Sequence, residues 1–333
     1  MTIVLKPGEL VLSSVADQKE WLAARRTGIG ASEIAAAAGL SRRRSAVEVW
    51  DSKINATEFE STDEMRWGSF IEGRIIDWWA AETGRTVGNG GLFRHPVHRW
   101  LLATPDAVVL EPEHGMLVRP GEDPPDGVAD AKIWACTATV DAKNQGWHTA
   151  EEWEDGAPVD YLAQITQQML AVGVRKGFLV VTLGGKPPVH REIDLDEEFA
   201  QMLIDAGARL WEHVTDGTPP PLDGSKSAHR YLARRYPDIE PGYFADLDDT
   251  DVQKVKEFVH IKESMATLKT LAAEIEHQIC DKLGRAAVGT YNGQTIVTWK
   301  KTERVGYTVK PTEYRKFHVP AAAKKGLNDG NSG

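Results

Sequence analysis

Cysteine is almost missing: the 333 residues hold two, Cys136 and Cys280. Two thiols cannot build a disulfide framework, a four-cysteine zinc site or an iron–sulfur cluster without outside ligands. There is no run of about 20 apolar residues of the kind that spans a bilayer. Residues 1–7 lack the charged segment followed by an apolar stretch that directs secretion, so the chain is expected to stay in the cytoplasm. Positive charge is scarce as well. Lys and Arg total 39 against 49 Asp and Glu, a formal −10, which argues against indiscriminate coating of nucleic acid and leaves room for a basic groove on an acidic body. Apolar material, by contrast, makes up 41% of the chain and includes eleven tryptophans. That is enough for a sizeable core, and the length allows about two domains.

The chemistry gathers around Ala103-Thr104-Pro105-Asp106 and Asp130-Ala131-Lys132. Alternate residues of a strand share a face, so Asp130 and Lys132 point the same way while Ala131 points back. If the two strands are neighbours, Asp106, Asp130 and Lys132 meet at one point. Hard oxygen ligands select Mg²⁺ or Mn²⁺ over zinc, and an ammonium beside them suits phosphodiester hydrolysis. An acid-x-lysine triplet by itself is common and also fits a surface ion pair.

Along the chain, residues 1–16 are expected to form a loose arm. A short helix carries Arg25 and Arg26 into Gly28 and Gly30, with Ser32 as N-cap of an alanine-rich helix over 33–39. An arginine ahead of a helix N-terminus can cradle a phosphate, although an ordinary capped helix fits equally well. Arg42, Arg43 and Arg44 form a basic knot that can add to DNA contact or remain a solvated loop. Helices are expected at 47–54 and 63–83, the second with a stripe of Trp67, Ile71, Ile75, Trp78 and Trp79. Glu72 lies beside that stripe, where a carboxylate is costly unless paired or metal-bound.

Strands follow at 86–87, 100–104 with a continuation at 107–110, and 128–134 after an acidic insertion at 111–127. A helix over 161–172 carries Gln164 and Gln168 next to its apolar face, strands at 178–183 and 189–193 pair across Gly184-Gly185, and a helix covers 197–214. This order fits an α/β fold, a mixed sheet flanked by helices. A Pro/Gly linker at 218–228 separates a core over 1–217 from an extension over 229–320, which holds a helix at 249–283 and a hairpin about Asn292-Gly293. Residues 321–333 are expected to be a disordered tail.

Taken together, Arg26-x-Gly28 with Ala31-Ser32-Glu33, Trp67-Gly68 with Glu72, Thr104-Pro105-Asp106, Asp130-Ala131-Lys132 and Tyr161-x-Ala163-Gln164-x-x-Gln167 resemble the lambda-exonuclease type of phage recombination exonuclease. These are the YqaJ-like viral recombinases of the PD-(D/E)xK nuclease superfamily, and the likeness covers roughly residues 20–215. It implies a restriction-endonuclease-like core and a processive Mg²⁺-dependent enzyme, Mn²⁺ substituting, with two ions per site. Such an enzyme resects the 5′-ended strand of linear duplex DNA and leaves a 3′ single strand for recombination by annealing.

By position, Glu72, Asp106, Asp130 and the Ala131 carbonyl would hold metal, Lys132 would orient or activate water, and Gln164 would sit at the site's edge. Arg26 with Ser32 would hold the 5′-phosphate, and Arg25, Arg42, Arg43 and Arg44 would face DNA. The resemblance further implies a homotrimeric ring, a single-strand annealing protein as partner and a phage or prophage protein in a bacterial host. Asp130 departs from the usual glutamate. An endonuclease on the same fold and a non-catalytic DNA-end-binding scaffold are the alternative functions.

Overall fold

The computed structural model describes residues 3–14, 17–55, 62–111, 135–154, 156–240, 242, 244–301, 303, 317–320 and 323. The chain divides into two compact units, residues 1–232 and 233–333. Among the described residues no helix is long and apolar enough to cross a membrane.

The first unit is built on a five-stranded mixed sheet. Its strands are β2 (Val87–Asn89), β5 (Ala107–Glu111), β6 (Ala135–Gln145), β7 (Lys176–Leu183) and β8 (Val189–Asp194), neighbours in that order. Only β6 and β7 run parallel, so a crossover must join them. α5 (Val159–Val172) lies in that connection.

Both faces of the sheet are covered, so its central strands read as nearly unbroken apolar runs. Ala107 and Val109 of β5, Ala138, Val140 and Ala142 of β6, and Phe178 and Val180 of β7 pack with Ile75, Ile76 and Trp79 of α4 (Asp63–Thr83). The alternate residues go the other way. Val108 and Leu110 join Met169 and Leu170 of α5, and Leu179 and Val181 join Ile165. The period of two therefore sends Asp141 and Lys143 of β6 to the face opposite α4.

Helices α2 (Ala31–Ala37), α3 (Ala46–Ile54) and α6 (Glu197–Asp216) form a second layer around Ile29, Ile34, Trp50, Leu203 and Leu210. Asp196 accepts from the amides of Glu198 and Phe199 at the start of α6, and Gly217 ends it at φ 68°. The mixed sheet flanked by helices is the expected α/β class.

Several local expectations change. Residues 9–13 form β1 (Glu9–Ser13), paired antiparallel with β3 (Gly91–Arg94), and Ile3 and Leu5 pack on the core, so this segment is not a loose arm. Residues 100–104 shrink to the two-residue β4 (Leu102–Ala103), which joins β3 in a separate small sheet. Helix α2 is capped at Gly30 by Glu33 rather than by Ser32. On α4, Trp67 and Trp78 are exposed and only Trp79 is buried among the three tryptophans, because the buried stripe is narrowed to the side that meets three strands.

The Pro-rich stretch at 218–225 lies inside the first unit. It leads to α7 (Lys226–Arg235), where the Ser227 hydroxyl accepts from the Ser45 amide at 2.9 Å. The insertion at 112–127, the strand expected at 128–134 and nearly all of the tail at 321–333 lie outside the described residues.

The second unit contains α8 (Asp249–Leu283), capped by Asp248, and the hairpin of β9 (Val288–Tyr291) and β10 (Gln294–Thr298). Asn292 and Gly293 turn it at φ 50° and 81°, the left-handed pair that a two-residue hairpin requires.

Gly90 offers a check on how tightly the sheet holds Asp106. A Cβ there would lie 1.7 Å from the Pro105 carbonyl oxygen, so Gly90→Ala must displace the residue immediately before Asp106. We expect a loss of about 1–3 kcal/mol in denaturant unfolding. Gly68→Ala on α4, with nothing within 4 Å of the new methyl, should instead gain about 0.5–1 kcal/mol.

Candidate active site

Asp106 stands just ahead of β5, and the antiparallel register that pairs Ala107 with Val140 points it towards Asp141 and Ala142. The Ala142 amide donates to Asp106 Oδ2 at 2.8 Å, and the Asp106 amide donates to the Val140 carbonyl at 3.1 Å. The next β6 residues on the α5 face are Asp141 and Lys143. Asp141 is fully buried. Its Oδ1 accepts from Gln164 Nε2 and Gln168 Nε2, both at 2.8 Å. Residues four apart lie one above the other on a helix, which lets α5 aim both amides at one oxygen. Lys143 Nζ lies 2.5 Å from Asp141 Oδ2, a short ion pair. Lys143 also faces the Tyr161 ring at 5.5 Å, and the Tyr161 hydroxyl accepts from Gln145 and from Arg43.

Two acids this close and this dry cannot both ionise cheaply. Burial, followed by the repulsion of Asp141, pushes Asp106 up to about 8, against the pull of Lys143 and the Ala142 amide. Burial also raises Glu72 on α4, with Lys143 opposing and Asp141 adding to the rise. Burial alone would lower Lys143, but Asp141 and then Asp106 outweigh it and hold the ammonium above its ordinary range. In the metal-free site these two carboxylates favour the charged form of Lys143.

The donor set suits a hard cation. It is all oxygen, with the carboxylates of Asp106 and Asp141 on adjacent strands. Among the described residues no three acidic, histidine or cysteine side chains close around one point. Mg²⁺ does not need three, since it keeps several waters and often takes one or two carboxylates plus substrate phosphate. Asp106 and Asp141 fit that pattern, with Glu72 further out.

Of the residues expected from sequence, Glu72, Asp106 and Gln164 come together. Asp130, Ala131 and Lys132 lie outside the described residues. The triplet that the structure sets beside Asp106 is Asp141-Ala142-Lys143, an identical sequence eleven positions on. The signal that separates the two is context. Ala138-Thr139-Val140 supplies a β-forming approach to the second, whereas the first follows a Pro- and Gly-rich stretch. Gln168 joins the site too, and its spacing of four from Gln164 was the available clue.

The expected phosphate cradle also shifts by one residue. Arg26 is exposed, while Arg25 is half-buried and lies against Gly30 at the mouth of α2. Beside it, Glu33 is buried, accepts from the Gly30 amide and pairs with Lys53 at 2.7 Å and Arg44 at 3.6 Å. Despite burial, Lys53 and then Arg25 hold Glu33 below the usual carboxylate range. Ser32 is exposed at the same mouth, Arg42 pairs with Glu152, and Arg43 reaches Tyr161. Lys53 carried no sequence signal, because a lysine in the last turn of a helix is ordinarily solvated.

Residues 20–175 match the YqaJ-like viral recombinase domain. The chain is 28% identical to the uncharacterized protein YqaJ of Bacillus subtilis over 298 residues, 87% of this chain and 86% of that one. Among solved structures, the alkaline exonuclease from Laribacter hongkongensis is 20% identical with a TM-score of 0.46, covering 66% of this chain and 97% of that one. A phage-related exonuclease from Haemophilus somnus is 12% identical with a TM-score of 0.39, covering 57% and 96%.

The raised pKa of Asp106 has a definite sign in stability. Between its ordinary value of 3.8 and about 8 the unfolded chain ionises while the folded metal-free site holds its proton, so this residue costs stability as pH rises, by up to about 1.4 kcal/mol per pH unit. Asp106→Asn removes the titration. In chelator, the Tm of the Asn variant should match the parent near pH 4 and exceed it increasingly towards pH 8. A constant difference across that range would contradict the assignment.

Proposed function

We propose that this chain, whose residues 20–175 match the YqaJ-like viral recombinase domain, is a deoxyribonuclease, a Mg²⁺-dependent 5′→3′ exonuclease that resects linear duplex DNA to 3′ single strands for recombination by annealing. The observation that carries this reading is the buried Asp106–Asp141–Lys143 group on adjacent strands, the arrangement a PD-(D/E)xK site requires. Mn²⁺ should substitute, with two ions per site.

Bound there, such ions would stabilise charge on the transferring phosphoryl group and on the attacking and departing oxygens. Asp106 and Asp141 would hold them, and Glu72 would close the outer side. Gln164 and Gln168 fix the rotamer of Asp141, as outer-layer partners of a ligand do. Lys143 would orient the attacking water and, as an ammonium, offset the negative charge that builds on the phosphate. Arg25, at the mouth of α2 with Ser32, is placed to hold a terminal 5′-phosphate, and a charge-assisted contact there would set the scissile bond in line. Arg43 and Arg44 extend the basic surface between that mouth and the site. A homotrimeric ring threaded by duplex, working with a single-strand annealing protein, completes the reading.

Resection of linear duplex in Mg²⁺ discriminates the two triplets. Asp141→Asn should reduce the rate to background, and Lys143→Ala should cost about 10²–10³-fold. Gln168→Ala should cost about 10–100-fold. Asp130→Asn and Lys132→Ala should leave the rate near the parent's. The reverse ranking would move the site to the first triplet, and a full rate in chelator would remove the metal. For polarity, 5′-phosphorylated ends should be resected faster than 5′-hydroxyl ends. Arg25→Ala should erase that difference while Arg26→Ala preserves it.

A further inference from the structure

The C-terminal two-thirds of α8 presents an apolar row that nothing in the nuclease unit explains. Ile261, Met265, Leu268, Ala272, Ile275 and Ile279 follow one another at spacings of four, three, four, three and four residues, the alternation of d and a positions in a heptad. All six are exposed, the five large ones by between 42% for Ile279 and 64% for Leu268. A mean spacing near 3.5, kept over roughly 27 Å at 1.5 Å per residue, is the period at which a seam stays in contact with another helix as the two supercoil.

We propose that this row is the seam of a two-stranded antiparallel coiled coil, formed with the same helix of a second copy of this chain. The row is complementary to itself. When two copies are laid antiparallel about a two-fold axis, Ile261 lies opposite Ile279 of the second copy, Met265 opposite Ile275, and Leu268 opposite Ala272. Each of the six finds its partner among the six, the relation an isologous interface demands. Volume selects the direction. In a parallel pair, Ala272 would face its own copy between two layers of large side chains and leave a gap, whereas the antiparallel pair sets it against Leu268 and fills the layer.

Charge agrees. On the flank that follows the d positions, Lys262 lies across from Glu276 of the second copy, twice by symmetry, and on the other flank Leu271, also exposed, meets its own copy. Lys269 against its copy at the axis is the single like-charge contact, on an outer flank where water screens it. The occupant is therefore a second copy, and no other sequence is needed to fill the seam.

The test uses the full chain. By analytical ultracentrifugation, Leu268→Glu/Ile275→Glu should halve the mass of the parent assembly, whatever the nuclease unit contributes, with helical circular dichroism retained. Direction is read by cysteines in a Cys136→Ser/Cys280→Ser background, a measurement that does not depend on the charged variant folding. Met265→Cys and Ile275→Cys proteins should not cross-link alone on oxidation, and a mixture allowed to exchange subunits should give a disulfide-linked pair. Parent mass in the folded double-Glu variant would overturn the interface. Cross-linking of Met265→Cys to itself, or no cross-link in the mixture, would overturn the antiparallel seam.

Discussion

Two carboxylates held side by side on the interior strands of a sheet are the constraint around which the first unit is arranged. The hydrogen-bond register of β5 and β6 fixes Asp106 in place, since its carboxylate receives the Ala142 amide while its own amide is bound to Val140. Asp141 is on the same strand one residue earlier. Removing two like charges from water together is expensive, and the surroundings are the compensation: one cation from β6 itself and two amides from α5. None of these cancels the repulsion. They leave Asp106 protonated near neutral pH, a poor resting state for a structural residue and a reasonable one for a ligand that gains a divalent ion.

α5 connects this constraint to the rest of the unit. Ile165, Met169 and Leu170 anchor it in the core, and Gln164 and Gln168 reach the site from the same helix. Gln167 faces another way and donates to the carbonyls of Ile29 and Leu102, both at 2.8 Å. That bond ties the turn before α2 to the segment that runs on into Asp106. The mouth of α2 and the acidic site are therefore braced by consecutive residues of one helix, and a displacement at either end has a rigid path to the other.

Much of this was legible in sequence where periodicity alone decides. α8 has the expected limits, α4 ends before Gly84 as expected, and the Asn292-Gly293 hairpin turns where its residues require it. The less legible features depend on partners distant in sequence. Residues 9–13 are a short isolated apolar run with no evident partner until β3 is there to pair with them. Trp67 and Trp78 fit the helical stripe of α4 as well as Trp79 does, and only the width of the sheet beneath decides which is buried. Asp130-Ala131-Lys132 and Asp141-Ala142-Lys143 are the same three letters. Strand pairing distinguishes them, because a triplet becomes a site only when an acid on the neighbouring strand comes into register with it.

The net charge of −10 has to be set beside where the cations stand. Lys53 and Arg44 are already paired with Glu33, Lys143 with Asp141 and Arg42 with Glu152, so formal charge overstates what a phosphate would meet. Arg25 differs because its influence on Glu33 is long-range while Lys53 makes the direct contact. Glu33 therefore adds an attractive charge near Arg25, while its direct partners are Lys53, Arg44 and the Gly30 amide.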